Sequence, residues 1–147
     1  MDVDTKLLVA PRAGIHYLEH QEAGIRWMLD REDADTAKVC RGGVLADDMG
    51  LGKTFQTIGL LKNSPYALRT LIVCPPALLA GWTEELRACG YHVCRMVEGC
   101  GSWSAVPETD IKRTVWLVTY PKVTMYRRAW AAAADGVSWG RVILDEG

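Results

Sequence analysis

Residues 47–54 read DDMGLGKT, from Asp47 to Thr54. They follow a short apolar run, GVLA at 43–46, and precede FQTIGLL at 55–61, whose apolar residues fall at helical spacing. Strand, glycine-rich loop, Lys-Thr and helix is the layout of a nucleotide phosphate site. Gly50 and Gly52 have no Cβ, so the backbone can curl and approach a ligand closely. A curled loop running into a helix start aims unpaired N–H groups at one point, which suits an anion. Lys53 adds a charge that can reach the β- and γ-phosphates, and Thr54 a hydroxyl that can ligate Mg2+. The strict pattern G-x-x-x-x-G-K-[ST] asks for glycine where this chain has Asp47. The competing reading is a plain strand–helix turn with Lys53 as a solvated surface charge.

The rest of the chain is read outward from this loop. Residues 1–14 form an irregular lead-in broken at Pro11 and Gly14. At 20–32, HQEAGIRWMLDRE places Ile25, Met28 and Leu29, with Trp27 alongside, on one stripe of an amphipathic helix. Gln21 lies in its first turn, where an amide could read the donor–acceptor edge of adenine; periodicity alone favours an exposed helix-start residue. Residues 43–47 are expected as the first strand and 53–61 as the helix after it. TLIVC at 70–74 reads as a strand buried on both faces, followed by a helix over 77–88 that stops near Gly90. A strand is expected within 91–97, a loop over 99–110, a strand at 114–119 (TVWLVT) and a helix over 122–134. A last buried strand, RVILD at 141–145, delivers Asp145 and Glu146. Alternating strands and helices predict an α/β sandwich with a mostly parallel sheet and a ligand site at the carboxyl ends of its strands.

Asp145 follows Lys53 by 92 positions, room for the crossovers that return its strand to the sheet. In that arrangement Asp145 holds Mg2+ and Glu146 orients or deprotonates the attacking water. Solvated carboxylates at a strand end are common, so the pair gains meaning only beside GLGKT.

Composition narrows the class. The 147 residues suffice for one domain with a real core. A net charge of −1 shows no global basic field of a dedicated DNA-binding module, without excluding a local basic patch. Five cysteines without a C-x-x-C suit neither a disulfide framework nor a structural zinc site, and point to a reduced, intracellular protein. Neither a signal peptide nor a membrane-length apolar stretch is evident.

In series, four stretches resemble the SWI/SNF type of helicase-like ATPases, in the second helicase superfamily. HQEAGIRWM at 20–28 resembles the family's adenine-reading glutamine motif, with Gln21 on the base. LADDMGLGKTFQTI at 45–58 resembles its first helicase motif, in which an acidic residue habitually stands where the generic pattern wants glycine. TLIVCPPALLAGWTEEL at 70–86 resembles the next motif, and VILDEG at 142–147 the start of its Asp-Glu-Gly-His box. The resemblance covers the chain from about residue 15 and implies the first part of a RecA-like P-loop lobe over 15–147. It implies ATP and Mg2+ as cofactors, with Gln21, Asp47, Asp48, Met49, Gly50, Leu51, Gly52, Lys53 and Thr54 around ATP, Thr54 and Asp145 on Mg2+, and Lys53, Asp145 and Glu146 as the catalytic set.

The resemblance further implies a motor that hydrolyses ATP while stepping along duplex DNA, remodelling chromatin or protein–DNA complexes or acting in DNA repair. Chromatin or repair proteins would be its partners, and its place nuclear if cellular, with a viral origin open. LVTY at 117–120 falls at a DNA-facing segment of the family, making Thr119, Tyr120 and Lys122 candidate DNA contacts, with Arg127 and Arg128 nearby. The family's arginine fingers, worth ~10³–10⁵ in rate in related NTPases, come from a second lobe. The 147 residues alone are therefore expected to be inactive. Two other readings stay open: a different P-loop NTPase, and a truncated nucleotide-binding regulatory or decoy module.

Overall fold

The computed structural model describes residues 7–33, 41–66, 68–95, 108–125 and 139–146. The chain divides into two compact units, Met1–Pro65 and Tyr66–Gly147. Each is built around its own buried residues.

In the first unit two helices pack together, α1 (Glu19–Glu32) and α2 (Lys53–Asn63). Tyr17, Ile25, Ile58, Leu60 and Leu61 form its apolar interior. Close packing is possible because α2 carries Gly59 where a Cβ would run into the Ile25 side chain. Gly59→Val is therefore expected to cost about 1–3 kcal/mol by overpacking, read as a lower midpoint in urea unfolding. Within the lead-in, Val9 is tied to this unit by hydrogen bonds. Asn63, the last residue of α2, accepts from the Val9 N–H through Oδ1 at 2.7 Å and donates through Nδ2 to the carbonyl of Gly59 at 2.8 Å. The Tyr17 hydroxyl also donates to the Val9 carbonyl, at 3.1 Å.

One expected element is absent. Residues 43–47 are not a strand: among the described residues they join no ladder, and Val44 is 82 % exposed. A strand exists only through a hydrogen-bonded neighbour, and this short run, preceded by Gly42 and begun by Gly43, has none. Its shape is set by packing instead, with the Trp27 ring lying where a Cβ on Gly43 would go.

The second unit is the α/β layer. It contains β1 (Thr70–Cys74), α3 (Leu79–Ala88), β2 (His92–Arg95), β3 (Thr114–Thr119), α4 (Tyr120–Met125) and β4 (Arg141–Leu144). The strands form one sheet in the order β2-β3-β1-β4, with every pairing parallel. β1 and β3 are buried along their whole length, as their unbroken apolar runs require. The edge strand β4 is only half covered, with Val142 and Leu144 exposed. Leu71, Val73, Trp116 and Val118 form a core cluster on one face. Beside it, Trp139 meets Trp116 edge-on at 5.5 Å, and the Arg69 guanidinium lies 5.3 Å from the Trp116 ring centroid.

A 3-10 turn at Pro76–Leu78 precedes α3, so the α-helix proper starts two residues later than the expected 77. It stops at Gly90 as expected, for a reason visible in the backbone. Gly90 adopts φ +87°, its N–H bonds to the Arg87 carbonyl at 3.0 Å, and the Tyr91 N–H reaches back to Leu86 at 3.0 Å. That pair of bonds is the Schellman motif. The helix expected from 122 begins at Tyr120, which puts Pro121 in its first turn, where its missing N–H costs nothing. The expected loop at 99–110 runs into a 3-10 helix at Glu108–Arg113. Residues 126–134 of the expected helix lie outside the described residues.

Candidate functional site

The phosphate loop lies in the first unit. Gly50 (φ +85°) and Gly52 (φ +80°) both adopt left-handed backbone, which a side chain would resist, and Gly52 is the N-cap of α2. No side chain caps α2. The first N–H groups of a helix have no intrahelical partner, so this uncapped start offers donors to an anion, as the glycine spacing predicts. The fit to a nucleotide phosphate rests on this feature. Lys53 Nζ donates to the carbonyls of Asp47 at 2.6 Å and Asp48 at 3.2 Å. The ammonium is thus parked on the loop's own backbone, and both bonds can be exchanged for phosphate oxygens. Thr54 is half-buried at the helix start, while Asp48, Met49 and Leu51 are exposed on the loop, Met49 at 86 %.

Gln21 is not an exposed helix-start residue. It is only 9 % exposed, its Oε1 accepts from the Leu18 N–H at 3.0 Å, and its Nε2 donates to the Leu51 carbonyl at 3.2 Å. The first bond is half of a capping box, satisfying an orphan donor at the start of α1. The second ties α1 to the phosphate loop, and the His20 ring bonds the same carbonyl at 3.0 Å. A Cβ on Gly52 would meet the Gln21 amide nitrogen, so Gly52 also makes room for this contact.

The acidic pair lies in the second unit, at the carboxyl end of β4. Asp145 is fixed twice. Its N–H continues the ladder to the Val73 carbonyl at 2.9 Å, and its Oδ2 accepts from the Trp82 indole at 2.7 Å. Trp82 is buried on α3, and a buried indole N–H needs a partner. Glu146 is exposed to solvent. The ends of three adjacent parallel strands meet here, and their titratable groups feel one another. Burial pushes the Cys74 thiol up, and the Asp145 carboxylate adds to the effect. The Tyr120 phenol is raised first by the shielding of its hydroxyl, then by Glu146, Asp145 and Cys74. That hydroxyl is buried without a hydrogen-bond partner among the described residues. A locally negative corner of this kind suits a cation.

Of the candidate DNA contacts, Thr119 ends β3 and is only 7 % exposed, whereas Tyr120 and Lys122 are half-buried on α4. Arg127 and Arg128 lie outside the described residues. Among the described residues no cluster of His, Cys, Asp and Glu could hold a metal by itself, and no helix is long and apolar enough to cross a membrane.

Three residues with roles at these sites were not singled out from the sequence: His20, Gln56 and Trp82. Gln56 is fully buried in α2, with Nε2 donating to Asp47 Oδ2 at 2.7 Å. The signal for Trp82 and Gln56 was a polar group in a stretch that had to be buried, since such a group needs a partner somewhere.

A parallel α/β sheet together with an uncapped glycine-loop helix carrying Lys-Thr defines a P-loop class of nucleotide-binding protein. Comparison with known proteins narrows it. A family model described as SNF2-related domain matches residues 20–147, and the chain belongs to that family. It is 37 % identical over 150 residues to a "Probable global transactivator" of Orgyia pseudotsugata multicapsid polyhedrosis virus, covering 97 % of this chain and 28 % of that protein. It is 40 % identical over 72 residues to the "ATP-dependent helicase rhp16" of Schizosaccharomyces pombe, covering 49 % of this chain and 8 % of the relative. In structure it resembles the Sulfolobus solfataricus SWI2/SNF2 ATPase core in complex with dsDNA, with a TM-score of 0.68 and 26 % identity, over 95 % of this chain and 28 % of that one. The fold is therefore that of part of an SNF2 ATPase core, RecA-like in class. The chain spans less than a third of the length of each of these three relatives.

Proposed function

We propose that this chain is the ATP-binding portion of a DNA-dependent ATPase of the helicase-like class, a translocase that remodels protein–DNA complexes or acts in DNA repair. The observation that carries the reading is the uncapped start of α2 behind two left-handed glycines, with Lys53 resting on exchangeable carbonyl bonds. The helix-start N–H groups and Lys53 bind the β- and γ-phosphates. Gln21 reads adenine, exchanging its Leu51 bond for the base. Thr54 and Asp145 would hold Mg2+, which when bound supplies neutralisation of the phosphate charge that develops in transfer. Glu146, exposed at the strand end, orients or deprotonates the attacking water. Duplex DNA is the second ligand, a reading supported by the dsDNA in the related Sulfolobus complex. Tyr120 and Lys122 are its contacts of choice, since Thr119 is buried. A nuclear site of action follows for a cellular protein.

The test is ATP hydrolysis by the full natural protein containing this chain, with and without duplex DNA. Stimulation by DNA supports the motor reading; hydrolysis indifferent to DNA moves it to another NTPase class. A second measurement addresses Asp145. Trp82→Phe keeps the buried ring and removes the indole donor, and outer-shell partners of metal-ligating carboxylates are worth ~10–100-fold in affinity or activity. The Mg2+ concentration needed for half-maximal nucleotide binding is therefore expected to rise about tenfold. An unchanged Mg2+ requirement in a folded variant would remove Asp145 from the metal site.

A further inference from the structure

We propose that Gln56 is a positioning residue for the phosphate loop: its amide holds the Asp47 carboxylate aside and thereby sets where the Lys53 ammonium rests. The inference rests on the phosphate-loop reading above.

The generic loop has glycine where this chain has Asp47, so a charged side chain stands at the entrance of an anion site. Left loose, it would repel phosphate. Gln56 Nε2 donates to Asp47 Oδ2 at 2.7 Å, and the Asp47 carbonyl accepts from Lys53 Nζ at 2.6 Å. Two short hydrogen bonds therefore link a buried position of α2 to the Lys53 ammonium through Asp47. Gln56 is fully buried, and a Cβ on Gly24 of α1 would collide with its Oε1. The amide is thus seated in a notch that only glycine leaves open.

The seat is costly. Oε1 is buried with no hydrogen-bond partner among the described residues. An orphaned buried acceptor is destabilising, and a methionine of similar volume would avoid it. Nor does reassigning the amide remove the cost. The Asp47 carboxylate only accepts, so Nε2 must face it and Oε1 must face Gly24. Retaining an amide here makes sense if the bond to a charged group, stronger than a neutral one, fixes Asp47.

The test measures ADP and ATP binding by the full natural protein, with thermal unfolding in parallel. Gln56→Met removes the donor and should weaken binding about tenfold. Gln56→Glu keeps the shape but sets two carboxylates face to face. They can share a proton at low pH, so binding should be poor at pH 8 and recover toward pH 6. The double variant D47N/Q56E puts the donor on the other side and should regain affinity at both pH values. A purely structural role predicts affinity losses that only follow the unfolding midpoint; the positioning role predicts them in variants that are still fully folded at the assay temperature. Should Q56E not fold, the cycle of D47A, Q56M and their combination decides. Q56M should then add nothing once Asp47 has lost its carboxylate. Wild-type affinity in Q56M, or an equal loss from Q56M with and without Asp47, overturns the proposal. Lys53→Ala separates the failures: if it binds nucleotide like wild type, the phosphate-loop reading itself falls.

Discussion

Lys53→Ala will leave the protein folded and strip it of ATP hydrolysis. The loss should be about 10²–10³-fold or more, the effect of removing one preorganised donor from a developing negative charge. Nucleotide binding should weaken as well, because the ammonium meets the same phosphates in the ground state. Folding should be spared because, among the described residues, Nζ bonds only to the carbonyls of Asp47 and Asp48, on a stretch of loop that water can reach. Lys53→Arg is not a substitute: a planar fork replaces a compact point charge. Measured together, hydrolysis, ADP affinity and thermal unfolding distinguish a damaged site from a damaged fold. Full hydrolysis in a folded Lys53→Ala variant would place the chemistry elsewhere.

The parts of the molecule legible from sequence are those whose causes are local. Strands β1 and β3 announce themselves as unbroken apolar runs because both faces are covered. The end of α3 is written in Gly90, and the phosphate loop in glycines that must adopt positive φ. What the residues did not show depends on partners distant in sequence. Nothing in GVLAD tells whether a neighbouring strand completes a ladder, and among the described residues 43–47 join none. Gln21 looked exposed because helical periodicity counts only apolar residues, whereas its burial comes from the Leu51 carbonyl thirty positions away. Trp82 and Asp145 are 63 positions apart and meet only because β4 lies beside β1 and α3 packs on the sheet.

The same distinction explains Asp47. As a departure from the glycine pattern it counts against a phosphate loop, whereas within the family an acidic residue at this place is habitual. Its bond to Gln56 adds a physical account. A side chain is tolerated at the loop's entrance when a buried amide draws it toward α2. The residues that make this possible, Gly24 and Gln56, lie in two different helices and look unremarkable in each.

Glu146→Gln should separate binding from chemistry where Lys53→Ala cannot. The amide has the size and reach of the carboxylate but cannot take a proton from water, and positioned bases contribute ~10²–10⁴ in rate. Hydrolysis should fall by about that factor while ATP stays bound, so the variant should accumulate the ATP complex with DNA still able to associate. Two observations make Glu146 the residue to change. It follows Asp145, whose backbone and carboxylate are pinned by Val73 and Trp82, so the chain direction at Glu146 is set by a rigid strand end. It is also exposed, free of the indole clamp and open to water, as a residue acting on water must be. Single-turnover hydrolysis alongside equilibrium ATP binding reads the two effects separately. Loss of both together would make Glu146 a binding residue. Loss of neither, in a protein that Lys53→Ala inactivates, would assign the attacking water to a different base.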